Sequence, residues 1–299
     1  MTVPHIKTSD GVSLYYEETG TGDPLLFLHE FGGHYQSWEP QVRHFSRRYR
    51  CITYAARGWP PSDVPDKVGS YSQARAADDA ADVIKALGLK QPHMVGLSMG
   101  ATGALEFAIR HPGVARSLVI AAGGGGGSSD PAAKAKFREE CEGFAQRIEK
   151  EGMPVMAELY CTSSARTTYR YKDPRGWAEF KQQFADGSAR GHAMTMRGVQ
   201  GGRAPFFERT DELKTIAEPM LVIIGDEDES THGLAVHLKQ HVARSGVLEM
   251  PKTGHTMNLE EPAAFNSAVQ DFFHAVERDR WPARGAATYT LIPPTSAAR

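Results

Sequence analysis

Ser98 stands between two glycines in Gly96-Leu97-Ser98-Met99-Gly100, directly after the apolar run HMVGL and before ATGALEFAIRH, which has helical spacing. A serine hydroxyl attacks a carbonyl carbon only when a base takes its proton and an acid orients that base. Both follow downstream: Gly225-Asp226-Glu227-Asp228 closes the run MLVIIG, and Gly254-His255 follows VLEM and Pro251. A serine with a base and an orienting acid suits acyl transfer. The flanking glycines suit a tight strand-to-helix turn with no room for neighbouring side chains, and the helix that begins there aims its positive dipole end at Ser98. A serine between glycines is also an ordinary helix N-cap, but its coincidence with the two downstream elements favours the nucleophile.

Such groups need a scaffold that brings distant loops to one edge. Strand-like runs occur at 12–17, 25–29, 50–54, 93–97, 117–121, 220–225 and 247–250, separated by helical spacing at 36–47, 72–87, 99–111, 233–243 and 262–277. This alternation predicts an α/β fold: a mostly parallel, twisted sheet with helices on both faces. Runs such as LLFLH and MLVIIG are apolar throughout, as strands covered on both faces are. From 128 to 209 no strand is evident and short amphipathic helices are expected, which reads as a helical cap inserted over the sheet's carboxyl edge. The predicted division is a core of 1–127 and 210–280, a cap of 128–209, and a Pro/Ala/Thr-rich extension of 281–299. The five glycines at 123–127 read as a pocket-lining linker, because no phosphate-loop context accompanies them.

The whole chain narrows the function classes. A net charge of −2 over 299 residues offers no global attraction for nucleic acid or an anionic membrane. No apolar stretch of about 18 residues and no secretory leader is present, so a cytoplasmic protein is expected. Cys51, Cys141 and Cys161 have unrelated spacings and suggest neither disulfides nor a metal cluster. His237 and His241 lack an evident third ligand, and His29-Glu30 with His34 has one residue too many for the zinc motif HExxH. No metal or organic cofactor is expected; the expected partner is a small-molecule substrate, and a homo-oligomer remains open.

Beyond these groups the chain resembles the α/β-hydrolase superfamily. RGWPPSDVP from Arg57 is similar to that family's RGxGxSDxP loop, GHTMNLEEP from Gly254 to its GHxxxxExP segment, and HEFGGHYQSW from His29 to its HGxGG...W entry, a likeness covering roughly 10–278. The resemblance implies Ser98 as nucleophile, His255 as general base and Asp228 as acid, by the pattern Gly-x-x-Asp, with Asp226 as the rival. It also implies an oxyanion hole made by the backbone amides of Phe31 and Met99. Relatives that open epoxides or remove halides attack with aspartate at the elbow, so serine points to an ester or lactone. A carbon–carbon bond hydrolase or amidase on the same groups is the alternative, and a ligand-binding protein without catalysis is the rival from another class.

Two positions depart from the family pattern, Ala55 and Glu30. Glu30 occupies a place where the family usually has glycine, immediately before Phe31. Dienelactone hydrolases carry a glutamate there that interacts with their nucleophile, which implies that Glu30 touches Ser98 or the substrate; the alternative is that it turns away to pair with an arginine such as Arg57 or to bind loop amides. A carboxylate beside a developing oxyanion needs protonation or a salt bridge. His34, Tyr160, Trp177, His192 and Arg197 are the further candidates to line the pocket, and an inward Arg197 would favour a carboxylate-bearing substrate.

Overall fold

The computed structural model describes residues 4–126 and 130–285. Most of the predicted extension and the first residues of the predicted cap therefore lie outside the described residues. The first half comprises β1 (His5–Lys7), β2 (Ser13–Thr19), β3 (Asp23–Leu28), α1 (Glu39–Phe45), β4 (Tyr49–Tyr54), α2 (Gln73–Ala86), β5 (His93–Leu97), α3 (Met99–Arg110) and β6 (Ser117–Ala121). A helical insert follows: α4 (Pro131–Glu151), α5 (Met153–Cys161), α6 (Ser164–Lys172), α7 (Pro174–Ala185), α8 (Ala189–Thr195) with a π-helical turn at Met196–Gln200, and α9 (Thr210–Leu213). The chain then returns through β7 (Met220–Gly225), α10 (Glu229–His241), β8 (Ser245–Met250), α11 (Met257–Glu260) and α12 (Pro262–Glu277).

The eight strands form one sheet in the order β1-β2-β4-β3-β5-β6-β7-β8. From β4 to β8 all neighbours are parallel, whereas β1 and β2 join antiparallel at one edge. Because side chains alternate across a strand, successive residues enter opposite cores. Leu26, Ile52, Met94, Leu118, Ile120 and Val222 pack with α2, α3 and α10. Leu25, Phe27, Val95, Val119, Leu221 and Ile223 pack with Phe45 of α1 and with Phe265, Val269 and Phe273 of α12. Emptying one such fully buried leucine costs about 2–5 kcal/mol.

Several expected elements differ in detail. The helix expected at 36–47 is a 3-10 turn, Tyr35–Trp38, followed by α1, with a proline in its first turn. The helix expected at 233–243 starts at Glu229, immediately after Asp228. β1, only three residues long, was not expected, since three residues carry too little periodicity. In the insert, Asp130 caps α4 by accepting the Ala133 N–H at 2.8 Å, and Pro131 suits its first turn.

Candidate functional site

The turn between β5 and α3 holds Ser98 at φ 53° and ψ −109°, in the left-handed half of backbone space that a serine rarely enters. Hydrogen bonds on both sides hold it there: its N–H donates to Ala121 O at 2.8 Å, and its carbonyl accepts from Thr102 N at 3.0 Å. A conformation of this kind costs on the order of 1–3 kcal/mol and persists where the surroundings dictate it. The glycines have a steric cause. A Cβ on Gly96 would strike the backbone of Gly100, and one on Gly100 would strike the carbonyl of Leu28. Ser98 stays partly accessible while its immediate neighbours are buried.

The loops after β7 and β8 meet at this same carboxyl edge. His255 Nδ1 lies 2.5 Å from Asp228 Oδ2, and Ser230 Oγ donates to Asp228 Oδ1 at 2.8 Å. With Nδ1–H given to the carboxylate, Nε2 is left as the basic nitrogen. Burial would raise the Asp228 carboxyl, but the bonds from His255 and Ser230 and the charge of Arg166 leave it below the ordinary aspartate value. Asp226, by contrast, accepts the Thr253 N–H at 3.0 Å and shapes the loop. Of the two rival acids, the one on His255 is Asp228. The His255 loop is fixed by Glu260, whose Oε2 accepts Gly254 N–H at 2.9 Å, and by the His255 N–H donating to Ala165 O of the insert at 2.9 Å.

Glu30 is 1% exposed and its partner is not Arg57. Arg57 is taken by Asp79 at 2.6 Å and Asp10 at 3.0 Å, in the first half of the chain. The guanidinium that reaches Glu30 belongs to Arg166 of α6: its Nη2 donates to Glu30 Oε2 and, at 2.8 Å, to the Tyr160 hydroxyl. It also lies 4.0 Å over the Tyr160 ring, a cation–π contact. Glu30 Oε1 and Arg166 Nε are buried without a partner. The second acid is thus neutralised by the insert.

The remaining expected pocket residues divide. Tyr160 and His192 gather around Phe31, with ring centroids 5.8 Å and 5.2 Å from it. His192 is also 4.5 Å from Trp59; burial lowers its pKa to about 4, so it is neutral at physiological pH. Trp177 instead donates to Cys161 O at 2.9 Å within a small aromatic cluster of the insert. His34 caps the 3-10 turn, its Nδ1 accepting from Gln36 N at 3.0 Å. Arg197 does not turn inward: Glu142 at 2.8 Å and Glu149 at 2.6 Å, both on α4, hold its head. Arg166 and Arg203 were not anticipated, since each meets a partner more than a hundred residues away, Glu30 and Thr102; Glu260 lies inside the segment GHTMNLEEP, but its bond to Gly254 was not singled out. A groove of about 590 Å³ lined by Gln36, Glu39, Arg43 and Asp173 contains none of Ser98, Asp228 and His255. Among the described residues no three metal-binding side chains converge, and no helix is long and apolar enough to cross a membrane.

The profile of the Alpha/beta hydrolase family matches residues 25–268, the stretch that carries most of β3, the strands β4 to β8, the Ser98 turn and the Asp228–His255 pair. The chain belongs to that family. Within it, the chain is 27% identical to 3-oxoadipate enol-lactonase 2 of Acinetobacter baylyi over 276 residues, 90% of this chain and 97% of the relative. The enol-lactonase of Burkholderia xenovorans LB400 superposes with a TM-score of 0.78 at 22% identity, covering 91% of this chain and all of the other. A thermophilic esterase from Thermogutta terrifontis superposes with a TM-score of 0.78 at 25% identity, over 91% and 98% of the two chains. This α/β-hydrolase is thus a hydrolase by family.

Proposed function

We propose that this α/β-hydrolase cleaves a small carboxylic ester or lactone through an acyl-serine intermediate on Ser98. The 2.5 Å bond from His255 Nδ1 to Asp228 Oδ2, at the sheet edge where Ser98 is held at positive φ, carries the reading. The enol-lactonases and the esterase among its relatives support the same bond type. Ser98 Oγ adds to the carbonyl carbon as His255 Nε2 takes its proton, and Asp228 stabilises the resulting imidazolium. The oxyanion accepts from the Phe31 and Met99 N–H groups, each such donor being worth ~10²–10³ in rate. Collapse expels the alkoxide, which takes the proton from His255 and, for a lactone, stays tethered to the acyl group. Water, deprotonated by the same nitrogen, then releases the acid and restores Ser98.

In this scheme the insert acts as a cap. Arg166 keeps the Glu30 carboxylate paired with a cation, since a free negative charge near the oxyanion would oppose the reaction. The test is covalent labelling with a fluorophosphonate, followed by a panel of p-nitrophenyl esters, lactones and ring-fission diketones. Labelling of wild type but not Ser98→Ala, with turnover of esters or lactones, is expected. No labelling would reduce the protein to a ligand-binding role, and turnover of diketones alone would replace the ester by a carbon–carbon bond.

A further inference from the structure

The insert carries a guanidinium that no carboxylate among the described residues neutralises. Arg57 has Asp10 and Asp79, and Arg166 has Glu30. Arg203, which follows the π-helical turn and Gly201-Gly202, pairs with no carboxylate among the described residues; its one hydrogen bond is from Nη1 to Thr102 Oγ1 at 3.2 Å. Thr102 sits one helical turn beyond Ser98. Its N–H donates to the Ser98 carbonyl, and its hydroxyl donates to Met99 O at 2.9 Å. The guanidinium is thereby tied to the turn that carries the nucleophile.

Its orientation leaves a specific edge open. With Nη1 on Thr102, the side-on edge made by Nε–H and Nη2 is left over, and Nε is buried without a partner. That edge runs past the glycines at the exit of β6. A Cβ on Gly126 would come within 3.0 Å of Nε, and one on Gly124 within 3.5 Å of Nη2, so the absent side chains are what keep this edge clear. Burial lowers the pKa of Arg203 to about 10, which leaves it a cation at neutral pH. Arg203 is half-buried with its Nε out of reach of solvent, a cation so placed without a counter-charge is costly, and an anion on its fork relieves that cost. Two parallel N–H donors match a carboxylate in geometry as well as charge.

We propose that Arg203 receives a carboxylate carried by the substrate, so that the preferred substrates are carboxylate-bearing esters or lactones. The chemistry rests on the Ser98 reading above, whereas the binding does not. The two are separated by titrating Ser98→Ala calorimetrically with monomethyl glutarate, which offers an ester and a carboxylate, and with dimethyl glutarate, its neutral counterpart. The half-ester is expected to bind more tightly, by roughly 10- to 100-fold as for a charge-assisted pair. Adding Arg203→Gln should abolish that preference, while Arg203→Lys, which keeps the charge and loses the fork, retains part of it. Equal binding of the two esters, or a preference that survives Arg203→Gln, would overturn the assignment. The comparison in Ser98→Ala alone needs no Arg203 variant to fold. A wild type that binds the half-ester preferentially but hydrolyses neither would defeat the hydrolase reading and leave the carboxylate site standing.

Discussion

The two faces of the sheet and the seam between the sheet edge and the insert are built on different principles. On the faces, strand residues alternate into two apolar cores, as Leu26 and Phe27 do on either side of β3. At the seam, Phe31, Trp59, Tyr160, Phe184 and His192 pack ring against ring, Phe31 edge-on to Trp59 and His192 and Tyr160 stacked on Phe184, while buried Arg166 joins the Tyr160 ring to Glu30. Apolar burial is non-directional and tolerates repacking, so the faces can hold a sheet without specifying chemistry. Buried charges and aromatic edges are directional, and each needs a particular partner in a particular place. The seam is therefore where substitution should alter rate and stability separately.

The sharpest break in that comparison is expected at the two rival acids. Asp228→Asn removes the carboxylate that orients His255 and should lower kcat by about 10⁴, with a small change in Tm. Asp226→Asn, which loses a loop contact at the same turn, should stay within about twofold of wild type in kcat. Stopped-assay rates on one p-nitrophenyl ester, paired with thermal melts, make the test. A comparable loss in both variants would show the turn, not the acid, to be what matters.

Next in size is the Glu30–Arg166 pair. Removing one partner strands a buried charge, so Arg166→Met should destabilise the fold by about 3–5 kcal/mol, while Glu30→Gln leaves the guanidinium uncompensated at similar cost. The double variant should recover much of that loss, because two neutral groups need no counter-charge. Denaturant unfolding of all four proteins gives the coupling directly. If the two single losses simply add, the seam is held by its aromatics and the ion pair is incidental. The pH profile of kcat/KM for Glu30→Gln adds an independent readout: an unchanged profile removes Glu30 from the chemistry and leaves it a positioning role.

The same contrast explains what could be read in the sequence. LLFLH and MLVIIG announced β3 and β7 because alternation into two cores leaves an uninterrupted apolar run. The Ser98 turn was legible because its glycines are demanded by contacts with Gly100 and Leu28 that lie close in the fold. Glu30 was visible as an odd acid, yet its partner was not: Arg166 is 136 residues away, on a helix where arginine is unremarkable. Arg197 and Arg203 show the same limit from both directions. The first was a pocket candidate whose direction its sequence neighbours do not fix, and α4 holds it outward, whereas the second sat unnoticed after two glycines. Period and turn chemistry are written locally, but pairing across a seam is written in two places at once.

The mildest test concerns protons. Burial lowers the pKa of His192 at the seam to about 4, against an ordinary value of 6.5. The sign follows from counting protons. Between those two values the unfolded chain binds a proton that the folded chain refuses, so stability is fully present above 6.5, is lost as pH falls towards about 4, and levels off below it. His93 does the same in the core, stacked 4.1 Å from Phe273, with burial lowering its pKa to about 3. Both regions thus contribute to acid sensitivity, and replacing one ring separates them. His192→Phe keeps the aromatic contacts with Phe31 and Trp59 but cannot titrate, so its Tm should fall less than that of wild type across the window. If the two Tm curves stay parallel from neutral pH down to about 4, His192 already takes up a proton in the folded protein. The seam would then be wetter at that point than its packing of Phe31, Trp59 and Phe184 implies.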